Sequence, residues 1–227
     1  MARNKYPEVT VNRILDVSLA LFLKKGYEHT TIQDIVDALG NLSKGAIYHH
    51  FKSKEDIIEA VMERLFSGKV ERVLAIRDAR DMTGIEKLHA LLIDSLNDPK
   101  QETMITAAPS LMNNSRFLAQ QIREGFETVA PLCLQPILEE GIADGTIRTR
   151  YPKETAEVLT LLTNIWINPY VAVSTAEELE QKFLFLSELL DFLGVPVLDD
   201  EILQMLRKFR RMIENRRFLE SRGKQED

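Results

Sequence analysis

The chain has 227 residues, 44% of them hydrophobic and 28% charged, with a formal net charge of −6, a balance that suits one small and one larger packed domain and excludes a disordered or fibrous polypeptide. No apolar run reaches the roughly 18 residues needed to cross a bilayer and no N-terminal signal pattern is present, so no membrane partner is expected. The single cysteine, Cys133, cannot form an internal disulfide, and the reducing cytoplasm is the expected setting.

The first expected helix runs from about Val9 to Lys25, where Val11, Ile14, Leu15, Ser18, Leu21 and Phe22 form a stripe about 120° wide, and Gly26 stops it. Thr30 and Gln33 have the spacing of a capping box, in which each side chain satisfies an amide the new helix leaves unpaired. Ile32, Ile35, Val36 and Leu39 then mark one buried helical face. Gly40 and Asn41, which tolerate the left-handed conformation, end that helix, and Ser43 is the next N-cap. On the helix that follows, Lys44, Gly45, Tyr48, His49 and Lys52 fall within an arc of roughly 140°. The remaining positions, Ala46, Ile47, His50 and Phe51, face the other way. A helix this short needs neighbours to lean on, so its apolar side is expected to pack while two ammonium groups, a phenol and an imidazole stay free for phosphates and base edges. Gly45 leaves room for a close approach.

Charge is distributed to match. Through Lys54 there are eight Lys or Arg against five Asp or Glu, a local +3, and the rest of the chain carries −9. The field that steers a charged partner is local, so the negative total does not argue against nucleic acid.

Ser53 with Asp56 starts a long helix expected to reach about Val73, burying Ile57, Ile58, Val61, Leu65 and Phe66. Further helices are predicted near 84–97, 101–113, 116–144, 152–171, 176–194 and 199–218, separated by Asp98-Pro99, Asn113-Asn114, Gly145, Ser174-Thr175 and Gly194/Pro196. The best strand candidate, Tyr170 to Thr175, reads as a helix end. The expected fold class is therefore all-α.

The run KGAIYHHFKSKEDI resembles the signature of the TetR family of bacterial transcriptional regulators, matched by Lys44, Gly45, Ile47, Tyr48, His50, Phe51, Ser53, Lys54 and Glu55. The upstream run RILDVSLALFLKKGYEHTTIQDI is similar to the same family through Ile14, Leu15, Ala20, Leu21, Phe22, Gly26, Tyr27, Thr30, Thr31 and Ile35. One departure is a turn longer by one residue, since Asn41 and Leu42 separate Gly40 from Ser43. The resemblance covers about residues 11 to 62. It implies a three-helix helix-turn-helix head over 1–54, joined by a long helix to an all-helical effector-binding and dimerisation domain over 55–227. It further implies a DNA-binding surface of Thr31, Gln33, Ser43, Lys44, Gly45, Ala46, Tyr48, His49, Lys52 and Lys54, used twice by a homodimer on a pseudo-palindromic double-stranded operator, with release by a small-molecule effector. A ligand sensor of the same fold without specific DNA binding is the alternative.

Within the implied body, Met62, Phe66, Leu88, Leu92, Met104, Met112, Phe117, Phe126 and Trp166 are candidates to surround the effector, with Asn164 as a polar contact and Asn168 beside it; most of these types also suit an ordinary core. The helices at 152–171 and 176–194 are the implied dimer elements, through Leu159, Leu162 and Ile165 on one and Leu179, Phe183, Leu186 and Leu190 on the other. The C-terminal segment carries Met205, Leu206, Phe209, Met212 and Ile213 on one arc and a basic remainder. It reads either as a helix lying on an anionic surface or as a last helix packed on the body.

Enzyme chemistry finds little support. His49 and His50 are adjacent and diverge, His29 and His89 have no acidic or cysteine companion at ligand spacing, and Cys133 sits in the apolar stretch Pro131-Leu132-Cys133-Leu134. No catalytic residue, cofactor or metal is expected.

Overall fold

The computed structural model describes residues 7–98, 115–168, 175–208 and 210–211, and every regular element among them is helical. The expected helix at 101–113, and with it Met104 and Met112, lies outside the described residues, as do the side chain of Phe117 and positions 170–174. Two compact units are present. One runs through Lys69 and takes in 115–118; the other starts at Val70 and resumes at Ala119.

In the first unit, α1 (Pro7–Lys25), α2 (Ile32–Leu39), α3 (Lys44–His50) and α4 (Lys54–Phe66) enclose one core. Ile14, Ile35, Ile47, Ile57 and Val61, none measurably exposed, meet at its centre, with Phe22 and Tyr27 edge to face beside them. Gly26 and Gly40 adopt positive φ, and so close α1 and α2. The capping box of α2 is one residue later than Thr30 and Gln33 suggest. Thr30 is buried and its hydroxyl donates to the Gly26 carbonyl at 2.8 Å, tying off the end of α1. The cap role passes to Thr31, whose Oγ1 accepts from the Asp34 amide at 3.1 Å while the Asp34 carboxylate accepts from the Thr31 amide at 2.8 Å. Both pairs have the spacing; the need to bury one threonine decides between them.

The helix expected to run from Ser53 to about Val73 is two helices. α4 stops at Phe66, Gly68 takes φ 80°, and α5 (Lys69–Arg77) begins again. Apolar periodicity continues through the break, which is why it is not visible from pattern alone.

The second unit holds α6 (Gly84–Leu96), a continuous helical run of α7 (Ser115–Glu124, entering from the first unit), a π-helical stretch (Gly125–Leu134) and α8 (Gln135–Asp144), then α9 (Pro152–Leu161) with its π-helical extension (Leu162–Trp166), α10 (Ala176–Phe192) and α11 at 200–208. The wide stretch contains Pro131, which has no amide to donate and whose ring opposes a regular α-turn. α6 crosses α8 glycine against glycine. A Cβ added to Gly84 would lie 2.3 Å from the Gly141 Cα, and the Gly84 and Ile85 amides are capped by Asp144 Oδ2 at 2.7 Å and Thr146 Oγ1 at 3.3 Å. Lys87 is buried beside this crossing, donating to the Arg77 carbonyl at 2.9 Å and to Glu140. Cys133 is a buried free thiol, and burial pushes its pKa up.

Over its described length α11 packs on the second unit. Ile202 and Leu206 are buried with Leu179 and Phe183 of α10, and Arg207 and Arg210 both pair with Glu180. Two of its basic residues are thereby tied to the body.

Candidate nucleic-acid interface

The residues expected to meet nucleic acid centre on α3. Ser43, extended at φ −80° and ψ 159°, caps it by accepting from the Ala46 amide at 3.2 Å. Ile47 on its inner side is wholly buried, and Phe51, 8% exposed, closes the C-terminal end, its amide donating to the Ile47 carbonyl at 2.9 Å. These contacts fix the helix by one face and leave Lys44, Gly45, Tyr48, His49 and Lys52 exposed, Tyr48 at 45%. Ala46 is half-buried.

Gly45 is not demanded by the fold. Its φ is not positive, and an added Cβ would meet only the Ser43 hydroxyl at 3.9 Å. A glycine inside a helix costs about 1 kcal/mol relative to alanine, so its presence at an open position suits close approach by something outside the chain.

The longer turn is accommodated without disturbing this geometry. The Gly40 amide donates to the Val36 carbonyl at 3.1 Å and Asn41 to Leu39 at 2.8 Å; Asn41 then points to solvent while Leu42 packs against the core.

Three of the other residues carry their polar groups in internal bonds. Thr31 is engaged with Asp34, Gln33 Nε2 donates to Asp37 at 2.8 Å, and Ser43 serves its own helix. Lys54 is half-buried, with Nζ donating to the Tyr27 carbonyl at 2.8 Å and lying 4.1 Å from the Tyr27 ring centroid. Around this cluster, the Lys25 ammonium and then the Thr31 amide and hydroxyl hold the Asp34 carboxyl down at about 2. Burial, reinforced by the hydrogen bond to Glu55, pushes the Tyr27 phenol up.

The expected effector residues are scattered. Met62 belongs to the core of the first unit and Leu88 to that of the second, so both are taken up by internal packing. Leu92 is half-buried between two apolar clusters, while Phe126 and Asn164 are exposed. Trp166 stacks edge to face on Phe185 at 5.6 Å and its carbonyl accepts from Lys182 at 2.9 Å. Asn168 donates to the Asn164 carbonyl at 3.2 Å. The side chain of Phe66, like Met104 and Met112, lies outside the described residues. Among the described residues, none of these candidates lines the groove of about 510 Å³ that runs between α6 and residues 196–199.

The dimer candidates face inward for the most part. Leu159, Leu179, Phe183, Leu186 and Leu190 are buried in their own chain, and Leu162 and Ile165 are half-buried. The apolar residues left outside on the same two helices are Val158, Leu161, Leu184, Phe185 (54% exposed) and Phe192 (87%). A helix rich in leucine on several sides does not reveal from periodicity which side is inner. His89, without a sequence-local companion, meets Asp199 at 2.9 Å.

Comparison with known proteins accords with this arrangement. Residues 14–61 match the family described as bacterial regulatory proteins, tetR family. The HTH-type transcriptional repressor KstR2 of Rhodococcus jostii is 28% identical over 198 residues, which cover 81% of this chain and 90% of that relative. A transcriptional regulator of the TetR/AcrR family from Thermobifida fusca is 28% identical, with a TM-score of 0.53 over 79% of this chain and 97% of its own. SmeT, the repressor of the Stenotrophomonas maltophilia multidrug efflux pump SmeDEF, shares the fold with a TM-score of 0.63 at 20% identity, over 87% of this chain and 95% of its own. The chain is thus similar to the tetR family of bacterial regulatory proteins over residues 14–61, and over most of its length to a relative named as a transcriptional repressor.

Proposed function

We propose that this DNA-binding transcription regulator is a cytoplasmic repressor that holds a pseudo-palindromic operator as a homodimer and is released by a small-molecule effector. The observation that carries the reading is α3 itself: a capped helix fixed by the buried Ile47, with Lys44, Tyr48, His49 and Lys52 outward and open space at Gly45. Lys44 and Lys52 supply phosphate contacts, Tyr48 and His49 meet base edges in the major groove, and Gly45 lets the backbone come close to a phosphate. Residues 1–54 are the DNA-binding domain and 55–227 the effector-binding and dimerisation domain.

Two copies related by a two-fold axis read half-sites about 34–36 Å apart. The exposed apolar residues Val158, Leu161, Leu184 and Phe185 of α9 and α10 are the surface through which they join. An effector in the body favours a head separation that no longer fits, with a coupling of about 1–3 kcal/mol, and transcription resumes.

Selection of bound fragments from random duplex DNA tests the reading. An enriched inverted repeat is expected, with affinity lost in Tyr48→Ala while far-UV circular dichroism and dimer mass stay unchanged. Lys44→Ala should lower the slope of log affinity against log salt by about 0.9. Failure to enrich any sequence at low ionic strength overturns the repressor reading in favour of a sensor that does not bind DNA.

A further inference from the structure

The fold of the second unit supplies His89 with two acidic companions that lie 110 and 112 positions away in the chain. His89 projects, partly exposed, from α6. Asp199 precedes α11 and divides its carboxylate: Oδ1 accepts from the Ile202 amide at 2.9 Å, capping the helix, and Oδ2 lies 2.9 Å from His89 Nε2. Glu201 stands exposed in the first turn of α11, and one donor atom from each of the three lies within 4.8 Å of the others.

We propose that His89, Asp199 and Glu201 bind a divalent first-row transition cation, with Zn²⁺ the best match. One imidazole nitrogen and two carboxylate oxygens form a donor set that such ions accept, and three protein ligands leave a fourth position to water. A four-coordinate ion with ligand distances of about 2.1 Å holds its donors about 3.4 Å apart. The separations here run from 2.9 Å to at most 4.8 Å, so turning the exposed Glu201 side chain and easing His89 off Asp199 brings all three to that spacing. The divided carboxylate matters: Oδ2 is given to the ion while Oδ1 keeps the helix cap.

Charge and access favour the same occupant. The two carboxylates balance a dication beside a neutral imidazole. Asp81 and Glu86 line the groove that also contains His89 and Asp199, which raises the local concentration of cations and opens a path for one to enter. Among the described residues no lysine or arginine forms an ion pair with Asp199 or Glu201. Asp199 is held below the ordinary carboxylate range, chiefly by the Ile202 amide, and is ionised at neutral pH. A bound ion joins α6 to α11 within the body, and the site depends on none of the residues of α3.

The test uses the full chain, stripped with a chelator and titrated with ZnCl₂ by calorimetry and with Co²⁺ as an absorbing probe. One ion per protomer, a rise in the thermal midpoint and a visible Co²⁺ spectrum of low-symmetry four-coordination are expected. Affinity should fall at least about ten-fold in His89→Ala and in Glu201→Gln. Glu201 is exposed, so Glu201→Gln keeps the fold, checked by circular dichroism. Binding of unchanged strength in both variants places the ion elsewhere, the adjacent His49 and His50 included, and overturns the proposal; no binding at millimolar Zn²⁺ overturns it equally. DNA affinity does not enter either readout.

Discussion

In the head the amides at the starts of α2, α3 and α4 are met by Thr31, Ser43 and Ser53, each three residues from the amide it caps. In the body, α6 has a local pair of the same kind in Thr83 and Glu86, yet its first amides turn to Asp144 and Thr146, about sixty positions away. Lys87 meets Glu140 and His89 meets Asp199 over similar or longer spans. The head is thus a set of locally specified helices clamped by one apolar centre, which suits a part that must present the same side chains each time it meets DNA. The body is held by contacts between distant segments, and a change at one end of such a contact is felt at the other, which suits the effector-sensing role proposed for it.

The two regions can be broken separately. Ile47→Ala removes a fully buried side chain from the centre of the head and should cost about 3 kcal/mol. Trp166 is the only tryptophan and lies in the body. The urea midpoint followed by far-UV circular dichroism should therefore fall while the Trp166 fluorescence transition keeps its position. Gly84→Ala should do the converse. Its Cβ meets backbone at 2.3 Å in the α6 and α8 crossing, and overpacking of this kind costs about 2 kcal/mol, seen as an earlier Trp166 transition with the head unaltered.

Two smaller effects sharpen the contrast. Thr31→Ala removes one half of the α2 capping box and should cost the head about 1 kcal/mol, with weaker DNA binding as α2 frays. The same box is acid-sensitive. Asp34 is depressed to about 2 in the folded chain, by Lys25 first, against about 3.9 in an unfolded one. Its stabilisation is complete above about pH 4 and disappears as pH falls through about 2. Acid titration of the parent against Thr31→Ala should show the difference between them narrowing over that window. Tyr48→Ala, at an exposed position, should leave stability within about 0.5 kcal/mol.

The head was largely readable from its residues because its determinants are short in range. Gly26, Gly40 and Ser43 stop and start helices through their own backbone or side chains, and Ile47 against Tyr48 follows from a turn of about 100° per residue. The exception, Thr31 in place of Thr30, arises where two overlapping boxes satisfy the same local rule and burial selects one. Past α4 the local rules run out. The apolar pattern passes through Gly68 as if no break were there, α10 carries leucine or phenylalanine on several sides, and nothing near His89 or Gly84 in the chain announces Asp199 or Gly141. Packing chooses in each case, and packing is a property of the assembled helices.

Cys133 turns this packing into a clock. Its thiol is shielded inside the body and held in the protonated form by burial, so an alkylating reagent can reach it only during excursions in which the surrounding helices part. The pace at which the native chain takes up such a label would time the body's breathing, with a chemical tag already in place and no engineering required.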